Sequence, residues 1–446
     1  MLNLIGVIIA FAVIILLIRK NYKLELSKKN KYYFILIFFK KYYFGLSLIL
    51  GAIIVGLFSF QNIELIDIPK AFIQAVIYNF ETNQIETGTI ELALLMTLIF
   101  MLAKSMQETG AIKKLIDSLR SIFTKGGTLG VIPAVYGLMP VPGGALFSAP
   151  TIDEEGNKFE LDKNQKNFLN VWFRHIWFPI YPISSAMILV TSAKFANFDI
   201  SILILVNIPA FITSIFIGMV YLKKFIKKSP DQIEIPRRDY SGLTYLIPPI
   251  LPLFVYSFLQ IFEIPQIRSF LIGVVISIFL VFYITKKTKE EYIQILKKSL
   301  TFNLALAISG IMIFREMFQV SQANIVLRDI IVESHIPIIA MVVIIPLVLG
   351  VLTGYNLGSV ALSYPILVPF FPADISFISL VGFTSLIFIS SVVGYLISPI
   401  HLCNVVSSDY LKTDTTRMYK MYIPAAVTML IVQIIVIGSL IFFMGS

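Results

Sequence analysis

GLMPVPGGALFSAP, residues Gly137 to Pro150, holds three prolines, three glycines and no charge. It sits in a chain of 446 residues that is 57% hydrophobic and only 14% charged. Apolar runs of membrane-crossing length, about 20 residues, recur along the whole chain. That composition reads as an all-α polytopic membrane protein. Within lipid, every backbone N–H and C=O must be satisfied internally, so broken backbone survives at depth only inside protein or beside a watery cavity. Pro140 and Pro142 cannot continue a helix, and Gly143 and Gly144 permit a sharp reversal. The stretch is therefore read as the tip of a re-entrant helical hairpin spanning 127–152.

Around it, about ten spans are expected, near 2–18, 42–60, 90–106, 168–194 (interrupted), 200–222, 242–262, 266–285, 300–318, 376–404 (interrupted) and 420–444. The first run is followed, not preceded, by its positive charges Arg19 and Lys20, which marks a span rather than a secretion signal. With both termini outside, the cytoplasmic segments hold 29 of the 36 Lys and Arg and the external ones four: Lys70, Lys194, Arg268 and Arg328. Positive charge inside is the expected bias. It assigns the net charge of +10 to the inner leaflet of the cell membrane rather than to nucleic acid. Cys403 is the only cysteine, so an intrachain disulfide is excluded and no cysteine-based zinc or iron–sulfur site is expected.

The two halves of the chain resemble each other. ELALLMTLIFMLAKSMQETGAIKKLIDSL from Glu91 aligns without gaps on NLALAISGIMIFREMFQVSQANIVLRDII from Asn303. Farther on, IPAVYG (132–137) matches IPLVLG (345–350), SAPTI matches SYPIL, and YPIS (181–184) matches SPIH (398–401). The halves are 1–222 and 242–446, joined by a charged cytoplasmic linker at 223–241. Five spans per half is an odd number, so the second half runs opposite to the first. This is an inverted-topology repeat, each half with a hairpin and an interrupted helix.

The second hairpin, 336–372, turns at TGYNLGS: Thr353, Gly354, Tyr355, Asn356, Gly358 and Ser359. In the interrupted spans, Pro179 and Pro182 stop the first, with a new half-helix starting at Pro182. In the second, Ser398 is expected to cap a new half-helix that begins at Pro399. Half-helix N-termini gathered at the midplane suit an anion, and the exposed carbonyls suit a small cation. An ionisable residue inside a span is a functional candidate by default. Arg174 offers a planar fork to a carboxylate or phosphate. His175, an imidazole inside a span, is a candidate carrier of a coupling proton. His401, with Asn404 after it, is a candidate pocket-lining donor. The competing readings are an arginine that snorkels to the cytoplasmic interface or binds a carbonyl freed by the break, and satisfied core histidines. The segment from Glu108 to Phe123 has apolar residues at helical spacing and reads as an amphipathic helix in the interface.

GLMPVPGGALFSAP followed by NVWFRHIWFPIYP resembles the integral-membrane family known as domain of unknown function 401, grouped with the ion transporter superfamily of divalent-anion/sodium symporters, gluconate and citrate permeases and arsenite pumps. The resemblance covers most of the chain. It implies two re-entrant hairpins, two interrupted helices, a homodimer and an elevator-like motion. The better-known symporters carry Ser-Asn-Thr runs at the hairpin tips, where this chain reads PVPGG and TGYNLGS.

The function expected is secondary active transport of a small, carboxylate-like anion, with Na⁺ or H⁺ as coupling ion and no cofactor. A cation/proton antiporter would need carboxylates at the breaks, and the nearest is Asp409. An intramembrane enzyme would need a catalytic set, and no His-Glu-x-x-His run or paired intramembrane aspartates occur. A channel would need a continuous polar stripe. No Gly-x4-Gly-Lys-Ser/Thr loop is present.

Overall fold

The computed structural model describes residues 2–21, 33–123, 126–139, 144–227, 238–333 and 335–445. The chain is helical almost throughout; a two-stranded hairpin, β1 (Tyr78–Asn79) with β2 (Gln84–Ile85), is the one sheet among the described residues. The first half comprises α1 (Leu2–Asn21), α2 (Tyr33–Phe58), α3 (Asp67–Val76), α4 (Gly88–Glu108), α5 (Ala111–Ile122), α6 (Thr128–Gly137), α7 (Ala145–Asn157), α8 (Lys163–His175), α9 (Ser185–Thr191) and α10 (Ile200–Phe225). After a 3-10 turn at Ser241–Leu246 come α11 (Ile247–Gln260), α12 (Gln266–Thr285), α13 (Lys289–Ser299), α14 (Asn303–Val320), α15 (Ala323–Glu333), α16 (Ile338–Thr353), α17 (Asn356–Leu367), α18 (Phe377–Ile397), α19 (Leu402–Leu411) and α20 (Thr415–Met444).

Among the described residues, eight helical stretches are long and apolar enough to cross a membrane. Of the ten expected spans, the second is a shorter apolar helix, because α2 kinks at Tyr42 and only Tyr42–Phe58 is apolar. The fourth, 168–194, is split into α8 and α9 with residues 176–184 between them. Large apolar side chains such as Leu16, Leu205, Phe216, Phe254 and Phe279 are exposed, the surface that a lipid solvent requires.

Each element of the second half corresponds to the one ten places earlier, and the packing follows suit. α1 packs on α2 and α11 on α12; α2 lies against α14 and α12 against α4; α7 meets α19 and α17 meets α9. Matching prolines fall inside matching helices: Pro133 and Pro346 in α6 and α16, Pro150 and Pro365 in α7 and α17, Pro209 and Pro424 in α10 and α20.

The contacts fall into two groups. α1, α2, α4, α11, α12 and α14 pack mainly on one another and form a frame. The hairpins α6–α7 and α16–α17, the broken helices α8–α9 and α18–α19, and α10 and α20 pack mainly among themselves. α18–α19 runs through the middle of this second group, with 89% of its apolar stretch buried against 22% for α20. α5 and α15 are the arms between the groups. α5 differs from the expectation of a helix resting on lipid. Its apolar residues Ile112, Leu115, Ile116 and Leu119 are buried in protein, against the 3-10 turn at Ser241–Leu246, α4 and α6.

Both hairpin–helix crossings use the same glycine of the repeat. A Cβ on Gly137 would lie 2.0 Å from the Arg174 carbonyl oxygen, and one on Gly350 would lie 2.8 Å from the Tyr395 nitrogen. Only a residue without a side chain lets the two backbones approach so closely.

Candidate functional site

α8 starts with a capping box. Asp162 accepts from the Asn164 and Gln165 N–H groups, and the Gln165 side chain accepts from the Asp162 N–H. It ends at His175 because Pro179 has no N–H for the His175 carbonyl; that carbonyl accepts from Phe178 N–H instead, at 3.1 Å. The break is tied to the first hairpin at three points. Trp177 Nε1 donates to the Ala134 carbonyl (2.9 Å), the Tyr181 hydroxyl donates to the Leu138 carbonyl, and Arg174 Nη2 donates to the Met139 carbonyl (3.3 Å). Asn207 of α10 donates to the Pro179 carbonyl at 3.0 Å. The next half-helix begins at Ser185, not at Pro182, which forms a turn.

Arg174 is 3% exposed. Its guanidinium lies directly over Gly144 at the start of α7, where an added Cβ would come within 2.0 Å of Nη2. The charge is buried against the end of the first hairpin, and its bond to the Met139 carbonyl is the backbone contact expected of an arginine beside a break. Pro140, Pro142 and Gly143 lie outside the described residues.

In the second half, Gly354 takes the left-handed conformation (φ 60) that ends α16, and Tyr355 is extended before α17. A Cβ on Gly354 would meet the Ile400 carbonyl oxygen at 2.9 Å, so the second tip rests on the second break. Ser398 differs from its expected role. It ends α18, donating to the Val351 carbonyl (2.7 Å) and accepting from the Ile400 N–H (3.3 Å). Pro399 and Ile400 form a turn, and α19 starts at Leu402 with His401 in the N-cap position.

The two breaks face each other. The His175 and His401 rings are 4.8 Å apart and nearly perpendicular, and Tyr395 of α18 lies 4.0 Å from the His401 ring. Phe178 stacks on Tyr395 at 5.8 Å. A chain of contacts therefore runs from the end of the first hairpin through the buried Arg174, His175 and His401 to the half-buried Ile400, and on to Gly354.

Several of the expected site residues make contacts within the protein. Thr353 donates back to the Leu349 carbonyl (2.7 Å), and Ser359 donates within the hairpin to the Pro346 carbonyl (2.6 Å) and lies 2.9 Å from the Ser391 hydroxyl. Gly358 and Tyr355 pack on Phe44 of the frame: a Cβ on Gly358 would come within 2.9 Å of that ring, and the Tyr355 and Phe44 rings meet edge to face at 5.2 Å. Asn356 is buried, and its side-chain oxygen has no hydrogen-bond partner among the described residues.

Two residues missed by the sequence reading, Asn167 and Asn170, join the halves. Asn170 donates to the Ala145 carbonyl (3.0 Å) and to Ser407 (2.8 Å), and accepts from Ser148. Asn167 donates to Asn404 (3.3 Å) and Ser408 (3.0 Å). With Arg174 they form a stripe at i, i+3 and i+7 on α8, a spacing that could have been read from KNFLNVWFRH.

A family described as "Protein of unknown function (DUF401)" matches residues 26–440. The chain belongs to this family. No curated protein matches it. The DUF401 match runs from α2 into α20, so both hairpins, both breaks and most of the frame fall within the family's span.

Two cavities lie away from this crossing, where the frame meets the broken-helix group. One of about 260 Å³ is lined by Lys194, Phe195, Arg315, Gln319, Arg328 and Tyr364. The other, about 460 Å³, shares Lys194 and Arg315 and adds Glu86. Lys194, just after α9, pairs with Glu86, just before α4, and so links the broken-helix group to the frame. The acidic residue closest in sequence to a break, Asp409, is exposed and pairs with Lys412 at 3.1 Å.

Proposed function

We propose that this DUF401 chain is an ion-coupled secondary transporter of a small, carboxylate-like anion. The observation that carries the reading is the burial of Arg174 at the meeting of hairpin end and helix break. A desolvated guanidinium is a strong anion ligand, and broken backbone at depth has a use where solute must be held. The halves 1–222 and 242–446, joined by the linker 223–241, are read as oppositely oriented in the cell membrane with both termini outside.

The division into frame and broken-helix group fits an elevator-like motion. The hairpins, breaks, α10 and α20 move as one unit past a static, dimeric frame. The contacts of Gly358 and Tyr355 on Phe44, and the Glu86–Lys194 pair, are those that such a movement must break. The cavity bearing Lys194, Arg315 and Arg328 gathers positive charge between the groups and draws anions towards the mobile unit.

A thermal-shift screen of small carboxylates and oxyanions, with and without sodium and at two pH values, tests the binding half of this reading. At least one anion is expected to raise the unfolding temperature of the wild type. Arg174→Gln should weaken that anion at least tenfold, the loss of one buried charge-assisted interaction being about 1.5–3 kcal/mol. Equal affinity in Arg174→Gln would remove the anion assignment.

A further inference from the structure

We propose that His175, His401 and Cys403 form a binding site for a zinc-type transition-metal ion at the crossing of the two helix breaks. The three side chains come from the end of α8 and the start of α19, and all are buried: His175 3%, His401 0% and Cys403 4% exposed. One ligand atom from each lies within 4.8 Å of the others. The thiol stands close enough to both imidazoles to interact with them. Yet neither ring nitrogen of His401 meets a hydrogen-bond partner of acceptable geometry among the described residues. A fully buried imidazole in that condition is uncommon, and here its ring faces two other metal-binding side chains.

His175 is already oriented for ligation. Its Nδ1 lies 2.6 Å from the Val171 carbonyl, one turn back. A carbonyl only accepts, so Nδ1 carries the proton and Nε2 keeps its lone pair. Nε2 is 3.3 Å from the Tyr395 hydroxyl, and the ring stands 4.8 Å from the His401 ring. Donation of the second ring N–H to a backbone carbonyl is the usual outer-shell support of a metal-bound histidine.

The donor set selects the ion. Two imidazoles and a thiolate, with no carboxylate, suit Zn²⁺ and its surrogate Co²⁺ and do not suit Mg²⁺ or Ca²⁺. With Zn–N of about 2.0–2.1 Å and Zn–S of about 2.3 Å, tetrahedral or trigonal ligand atoms stand about 3.4–3.8 Å apart. The site must contract by about 1 Å to close on the ion, a movement within reach of side-chain rotation. Binding releases the Cys403 proton to solvent as the thiolate–metal bond forms. Three protein ligands leave a fourth position open. Because His175 belongs to the first half and the other two ligands to the second, the ion would pin the two broken helices together. The site stands on these residues alone and does not require the transport reading.

The test uses the full chain, purified without a histidine tag, stripped with chelator and kept under a non-thiol reductant. Cys403 is the only thiol in the chain, so a thiolate-to-cobalt charge-transfer band on titration with Co²⁺ reports this residue alone. One equivalent of Co²⁺ is expected to develop the band and one equivalent of Zn²⁺ to abolish it. Cys403→Ser should lack the band, and His175→Gln and His401→Gln should weaken binding by at least tenfold, a loss that outer-shell changes alone can reach. A second readout needs no variant: Zn²⁺ should slow alkylation of wild-type Cys403 by a small membrane-permeant reagent at least fivefold relative to chelator. A cooperatively melting wild type that gives neither the band nor the protection overturns the site. So does a band that survives unchanged in both histidine variants.

Discussion

Gly144 and Arg174 show how one residue decides what another can do. A methyl group on Gly144 would occupy the space of the Arg174 guanidinium, with Nη2 at 2.0 Å and Cζ at 2.6 Å. Gly144→Ala is therefore expected to displace the charge and to weaken anion binding at least tenfold, as Arg174→Gln does. Calorimetric or thermal-shift titration with the anion identified for the wild type checks it; unaltered affinity would mean that the guanidinium does not contact the anion. Arg174 was legible in the sequence because a charge inside an apolar run must have a reason to be there. Asn167 and Asn170 were not, since a neutral amide near the start of a span reads as interfacial polarity until its partners Ser407 and Asn404, more than two hundred residues away, are in place. Thr353 and Ser359 each donate to a backbone carbonyl of their own hairpin, a contact that local sequence does not reveal.

At the scale of elements, the hairpins and the broken helices were legible because proline and glycine act locally. The points where the new helices begin were less so. Ser398 followed by Pro399 has the pattern of a cap and first turn, yet Ser398 closes the preceding helix by reaching across to Val351, a tertiary bond that no local pattern contains. The apolar stripe of α5 likewise told of burial without saying whether lipid or protein provides it. The repeated glycines Gly137 and Gly350 let α6 and α16 touch α8 and α18. Gly350→Ala gains about 1 kcal/mol of helix propensity but puts a methyl 2.8 Å from the Tyr395 nitrogen, with a steric cost of about 1–3 kcal/mol. A lower unfolding temperature is expected for Gly350→Ala and a still lower one for Gly137→Ala. Gly438→Ala, where nothing lies within 4 Å, should be neutral or stabilising. Equal melting of all three would contradict the account of these crossings.

For the whole molecule, the repeat was visible as a 29-residue gap-free match followed by shorter matched stretches, and several of the larger helix contacts recur ten elements on: α6–α8 with α16–α18, α7–α8 with α17–α18, and α3–α14 with α13–α4. The partition into frame and broken-helix group was readable in part, because every break falls in the later elements of each half. The inverted orientation of the halves is a separate matter of topology. In a Cys403→Ser background, a cysteine at exposed Thr82 is expected to react with an impermeant thiol reagent in intact cells, while one at exposed Glu290 reacts only after permeabilisation. Reaction of both from outside would refute the inversion.

Transport itself is measured by uptake into proteoliposomes. Wild-type protein facing an inward sodium or proton gradient should accumulate a small labelled carboxylate or oxyanion saturably, and Gly144→Trp and Asn356→Ala, folded and inserted, should abolish the signal. If folded, correctly inserted wild type accumulates none of these anions under either gradient, the reading of this chain as an ion-coupled anion transporter is wrong.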